Sequence, residues 1–247
     1  MLASLFLSAL VIFCTQALQA VTGFGSSVLA MPFVTALLGM REGIMIITIT
    51  AWFSVLYIAI SKWKEINLKQ FGIISGFMLL GLPLGMFLFR TVNTGLLKKV
   101  LALFIIIVSG WQLFRYIAFK KRNITPPRGI KVLPYYLILI AGGIIHGMFS
   151  SGGPLVVLYA SRALPDKGQF RATLSLMWAF LNTVLIIVYF AEGSMTREIA
   201  GNTGVLLPFV VVGIIAGEKV HHKLDERLFS IVVFGLLLVT GLFMLLL

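Results

Sequence analysis

The stretch VTGFGSSVLAMPF, Val21 to Phe33, sets two glycines, two serines and Pro32 inside an otherwise unbroken apolar run. An ordinary membrane helix carries leucine, isoleucine and valine at such positions, because every backbone N–H and C=O in a bilayer has to be satisfied within the segment. A break at this place calls for a reason.

The rest of the chain first fixes the solvent. Of 247 residues, 60% are hydrophobic and only 11% charged, and the mean hydropathy is +1.06. Soluble globular domains do not have this composition; it demands a bilayer. The net charge of +12 would point to nucleic acid in a soluble protein. Here the lysines and arginines lie in short loops between apolar segments, where positive-inside topology accounts for them and no nucleic-acid partner is implied. Met1–Gln19 lacks the basic start and small-residue cleavage site of a removable signal and runs on toward Leu38, so it is expected to stay in the mature fold. The single cysteine, Cys14, has no partner for an internal disulfide and reads as a packing residue. No Walker-type phosphate loop and no metal-ligand cluster stands in the sequence, so neither cofactor nor metal is expected.

Charged breaks divide the chain into ten apolar segments, at about 1–21, 26–39, 43–61, 70–90, 97–119, 133–149, 153–164, 169–191, 200–219 and 227–247. Most approach the ~20 residues a spanning helix needs; the second and seventh fall short. The span Arg115–Lys131, with six Lys/Arg and the pair Pro126-Pro127, separates two halves, 1–119 and 133–247, joined by a basic linker over 120–132. The halves repeat. Gly23, Ser26 and Ser27 moved by 124 positions fall on Gly147, Ser150 and Ser151. Gly81 and Gly85 of GLPLG moved by 132 fall on Gly213 and Gly217 of GIIAG, and Gly110 moved by 131 falls on Gly241.

Five segments per half is an odd number, so the second half enters the membrane inverted. Charge agrees: Arg41 and Glu42 form a nearly neutral loop against Arg162, Lys167 and Arg171 in its counterpart, whereas Lys62, Lys64 and Lys69 stand against Glu192, Arg197 and Glu198. Alternating sides collect 15 and 5 Lys/Arg, which predicts both termini outside the cytoplasmic membrane.

Between the first two segments stands only TGFGSS, and between the sixth and seventh only HGMFSSGG, neither with Asp, Glu, Lys or Arg. A turn that reaches water would ordinarily carry some. The expected picture is a helical hairpin in each half that turns near the middle of the membrane, re-entrant in preference to fully crossing, with the two tips approaching from opposite faces. Non-helical backbone at that depth is tolerated only where it is buried in protein or lines a polar cavity. Paired broken segments at matching places in inverted halves mark a transporter's binding site. Gly23, Gly25, Gly152 and Gly153 let the backbone turn and approach a ligand, and Pro154 suits the first turn of the following helix. Ser26, Ser27, Ser150 and Ser151 set hydroxyls beside helix N-termini, whose free N–H groups and dipole attract anions without a buried lysine or arginine. Close packing of small residues between helices is the competing explanation for either cluster alone; two clusters at repeat-related places favour a site.

At these residues the chain resembles the TauE/SafE family of sulfite and organosulfonate exporters, also called the TSUP superfamily. QAVTGFGSSVLAMP, Gln19 to Pro32, follows the family's first-half pattern of a glutamine, Gly-Phe-Gly and a downstream proline. GMFSSGGPLVVLYASRALPDKGQFRATLSLMWAFLN, Gly147 to Asn182, follows its Gly-Gly-Pro and Phe-Arg-Ala-Thr pattern, and with the glycine-rich late segments the likeness covers nearly the whole chain. The resemblance implies an α-helical secondary transporter of two repeats that moves small sulfur-containing or related organic anions across the cytoplasmic membrane, often outward. Two departures would retune the pocket: Ser26-Ser27 where many members are richer in glycine, and Gly-Gly-Pro-Leu where close relatives show a second proline. The motif cysteines of the thiosulfate-importing branch are missing.

Other polar residues lie inside apolar segments. Gln16 and Gln19 share a face of the first helix, directed at the tip or bonded to another helix, and the family pattern favours Gln19. Ser54 and Asn182 occupy matching places, and both are assigned to the pocket with Trp52 as an apolar wall. His146, the only histidine inside an apolar segment, is either a satisfied core residue or the proton-coupling group. Arg171 either draws an anion to the cytoplasmic mouth or anchors its helix at the headgroups. All eight Asp and Glu fall in or beside the charged breaks, which removes a carboxylate proton relay.

The function expected is an alternating-access carrier, not an enzyme, that exports sulfite, organosulfonates or related organic acids. The alternatives are an anion channel with the same filter and an intramembrane serine hydrolase. For the latter, His146 shares one segment with Ser150 and Ser151, and His221 and His222 lie in a loop. The partners expected are the small anion, the lipid bilayer and a second copy in a homo-oligomer.

Overall fold

The computed structural model describes residues 2–22, 25–118, 133–220 and 226–246; Gly23, the linker 120–132, His221 and His222 lie outside them. The described residues are helical, with no strand. Ten α-helices follow one another: α1 (Leu2–Thr22), α2 (Ser26–Leu38), α3 (Met40–Ser61), α4 (Leu68–Thr91), α5 (Thr94–Ala118), α6 (Leu133–Phe149), α7 (Gly153–Ala163), α8 (Lys167–Ala191), α9 (Arg197–Val220) and α10 (Glu226–Leu246). They match the ten apolar segments of the sequence one for one.

Six of them, α1, α3, α4, α5, α8 and α9, are long and apolar enough to cross a membrane. With 13 and 11 residues, α2 and α7 rise only about 20 and 17 Å, short of the ~30 Å hydrocarbon core. Large apolar side chains such as Phe6, Leu84, Phe87, Ile107, Ile187 and Phe190 face outward. In water they would form a single unstable patch; against lipid tails they are solvated. Buried threonines return their hydroxyls to their own helices, Thr35 to Met31 O, Thr48 to Ile44 O and Thr50 to Ile46 O, so that no neighbour has to satisfy them.

The helix bounds repeat. The ends of α1 and α6 (Thr22, Phe149), the starts of α2 and α7 (Ser26, Gly153) and the starts of α3 and α8 (Met40, Lys167) are each 127 positions apart. At these places the helix bounds run three residues beyond the spacing of 124 read from the serine pairs. Ser26 and Ser27 open α2, whereas Ser150 and Ser151 precede α7.

Packing follows the same register. A side chain at Gly81 or Gly85 on α4 would run into the carbonyls of Ile140 and Ile144 on α6; one at Gly213 or Gly217 on α9 would run into those of Phe13 and Ala17 on α1. Phe13 and Ala17 stand 127 positions before Ile140 and Ile144. Each half thus lays its first helix into a glycine notch on the fourth helix of the other, while α3 lies against α8 and α5 against α10.

Polar contacts within and between the halves gather at the two ends, apart from a Trp52–Thr183 bond between α3 and α8. At one end Arg90 pairs with Glu192, Arg41 donates to Arg90 O at 3.0 Å and Asn202 to Glu42 at 2.9 Å. At the other, Thr173 accepts from Asn67 N at 2.9 Å and Tyr159 donates to Gln70 at 2.9 Å, beside an Arg171–Glu218 pair at 2.9 Å. Loops expected on alternate sides segregate accordingly.

Candidate substrate site

Four helices that start at the ends of the molecule close their first turn with a side chain, whereas α3, opened by Gly39, does not. Asn67, Asn93, Asp166 and Thr196 accept from Gln70 N, Leu96 N, Gln169 N and Ile199 N at the starts of α4, α5, α8 and α9. The starts of α2 and α7 differ: Gly25 and Gly152 occupy the cap positions and no side chain bonds the first-turn N–H groups. The first N–H groups of a helix carry the positive end of its dipole; at α7 Pro154 has none and Leu155 N–H is bonded to Gly152 O at 3.2 Å, which leaves that of Gly153. Pro154 in the first turn of α7 loses nothing by lacking an N–H there.

The two breaks line one cavity. Gln19 reaches it from the last turn of α1, Gly25 from the first break, and Ser27 and Val28 from α2. The second half contributes His146 from α6, Ser150 and Ser151 from the break and Gly153 from α7. Ala51 and Val55 on α3, with Trp178 and Asn182 on α8, complete the wall. Ala51 and Trp178 lie near the middles of two membrane-length helices, so the cavity sits at mid-depth. Its volume, about 20 Å³, holds about one water-sized molecule.

The polar groups in this wall are unevenly satisfied. Ser150 donates to Asn182 Oδ1 at 3.1 Å and sits in the left-handed region at φ 53°, a conformation that a non-glycine residue seldom adopts. Ser151 Oγ is buried with no hydrogen-bond partner, and His146, only 1% exposed, has the Asn182 side chain as its polar neighbour. An orphaned buried polar group costs about 1–3 kcal/mol; such atoms occur at the cavity and also away from it, at Ser8, Ser75 and Ser175. No lysine, arginine or carboxylate lines it among the described residues, so recognition rests on N–H, O–H, amide and imidazole groups.

Several residues expected at the site stand elsewhere. Trp52 on α3 donates its indole N–H to Thr183 at 2.8 Å, and the tryptophan in the cavity wall is Trp178. Ser26 is buried at the start of α2 with its hydroxyl unpartnered, outside the lining, as are Gln16 and Ser54. Gly152 and Pro154 shape the second break without lining the cavity; a side chain at Gly152 would meet Gly142 O, His146 Cβ and Met78 Cε. Arg171 is bound to Glu218 at the start of α8, eleven residues from Asn182 and so about 16 Å away along the axis. Val28, Ala51, Val55 and Trp178 were not expected. The 127-residue register would have pointed to one of them, since it carries Asn182 onto Val55.

Neither His146 nitrogen is bonded to Ser150 or Ser151, so no nucleophile–base pair is assembled here. Broken helices whose uncapped ends meet at mid-depth belong to membrane transporters rather than to enzymes. The model of the family described as Sulfite exporter TauE/SafE matches residues 8–244, and the chain belongs to that family. It is 22% identical over 185 residues to the probable inner membrane transporter protein TsaS of Comamonas testosteroni, which covers 73% of each chain. No solved structure matches. Family membership and this relative make the chain a multi-pass transporter of the inner membrane, and its six long apolar helices fit that setting.

Proposed function

We propose that the protein is a secondary carrier of small anions, with sulfite, organosulfonates and related organic acids as its substrate class, working outward by alternating access. One observation carries this reading: the uncapped N-termini of α2 and α7 converge on a mid-depth cavity lined by His146 and by Ser151, whose hydroxyl has no partner. Hydrogen-bond donors without fixed positive charge hold an anion firmly enough to orient it and weakly enough to release it. His146 lines the cavity beside Asn182. As the only titratable side chain in the described lining, it is assigned the coupling proton. Arg171, held by Glu218 at the molecular end, is assigned to the cytoplasmic mouth.

The matched glycine contacts support two halves of common origin, and the odd number of segments per half gives them opposite orientation, with both termini outside. A cavity of about one water has to widen before an anion can enter. Alternating access supplies that step through movement of the breaks against α3 and α8.

The test is counterflow in proteoliposomes with sulfite, a two-carbon sulfonate, the matching carboxylate and a neutral analogue. Saturable exchange of the anions without exchange of the neutral compound is expected. Unitary currents in a planar bilayer would instead replace the carrier with a channel, and no anion exchange by folded protein would remove the substrate class.

A further inference from the structure

The cavity is built twice from the same positions and filled with different chemistry. In the 127-residue register Gln19 pairs with His146, Ala51 with Trp178 and Val55 with Asn182, and all six residues line the wall. Where the second half presents imidazole, indole and amide, the first presents amide, methyl and isopropyl. Hydrogen-bonding capacity is concentrated on the second-half side with Ser150 and Ser151. The first-half wall is apolar at Ala51 and Val55. An occupant that satisfies both sides has a charged, hydrogen-bonding head and an apolar substituent.

Space is divided just as unequally. Trp178 is the largest side chain in the wall and its counterpart Ala51 is the smallest that has a Cβ. The indole is 7% exposed, and its ring centre lies 5.1 Å from that of His146, tilted by 39°. The backbone at the second break cannot retreat, because Gly152 already abuts Gly142 O and His146 Cβ. Val55 is β-branched and stiff at χ1. Room beside the His146 and Ser151 donors is therefore limited by Trp178.

We propose that Trp178, set against Ala51, determines the size of the apolar group that a transported anion carries, so that short-chain organic anions pass and long-chain ones are refused. This rests on the anion-carrier reading above and adds to it a specificity-determining residue.

The test is competition in the counterflow assay by a homologous series of linear alkanesulfonates, from methane- to hexanesulfonate, against wild type, Trp178→Ala and the exchange variant Ala51→Trp/Trp178→Ala. Wild type is expected to favour the short members. Trp178→Ala should move the optimum to longer chains, changing the long-to-short ratio by about tenfold or more, the scale on which apolar pockets discriminate. The exchange variant should bring the short-chain preference back. Trp178→Phe replaces the alanine variant if that protein is not monodisperse, with a smaller shift in the same direction.

Two results overturn the inference and leave the carrier reading intact: a wild type that takes all chain lengths alike, or a Trp178 variant that loses every member in equal proportion. Absence of any anion exchange by folded wild-type protein removes both.

Discussion

The two helix breaks use their glycines in opposite ways. Before α2, Gly25 takes the left-handed backbone at φ 98°, and open space surrounds the place where its side chain would be. Before α7, the left-handed residue is Ser150, and the glycine nearby, Gly152, has an ordinary φ of −67° with no room for a side chain. Conformation selects the first glycine and packing the second. The strained serine donates to Asn182 at 3.1 Å, so the second break fixes a hydroxyl at the cavity where the first offers bare backbone.

This contrast can be broken at defined points. Gly152→Ala has the largest expected effect: the new methyl meets backbone on α6, α7 is pushed away, and about 3 kcal/mol of stability is lost. Thermal unfolding in detergent should show the loss, with exchange in proteoliposomes near background. Gly25→Ala meets no atom and bears only the left-handed cost of about 1–2 kcal/mol; a lower melting temperature with measurable exchange is expected. If the two alanine variants behave alike, the distinction between space and conformation fails. Asn182→Ala removes the acceptor for Ser150 and leaves its buried hydroxyl orphaned, so a stability loss of about 1–3 kcal/mol is expected together with substrate competition weakened about tenfold, equivalent to ~1.4 kcal/mol. Ser150→Gly is the finest probe. It relieves the backbone and loses one hydrogen bond, so stability should move by less than about 0.5 kcal/mol while the affinity for anions falls.

The ten helices were legible because a bilayer makes the contrast between segment and break extreme: the Arg41-Glu42 pair marks the place although it lies in the first turn of α3, and the break itself is the single residue Gly39. The breaks were legible as well, since glycine and serine without charge have few uses at mid-membrane. The serine pairs and the helix bounds differ in spacing by three residues, because the pairs look alike in sequence although one opens a helix and the other precedes one. The pocket wall was least legible. Ala51, Val55 and Val28 are indistinguishable from lipid-facing residues until the helix rotation is known. Trp52 and Trp178 differ only in which way their helix turns them, Trp52 toward Thr183 and Trp178 toward His146. The glycines at 81, 85, 213 and 217 were visible as a repeat, but their partners on α6 and α1 were not.

That last pairing has a consequence for biogenesis. Insertion proceeds along the chain, so α1 enters the membrane well before α9, whose notch receives Phe13 and Ala17. Meanwhile α1 has only its own half, α2 and α3, and lipid to rest against. By contrast, α4 meets α6 after one further helix and a linker. Closure of the long-range pair is intrinsically slow, which makes the docking of α1 on α9 the late step of assembly. A chain stalled before α9 would expose the α1 surface that quality-control factors of the membrane can recognise.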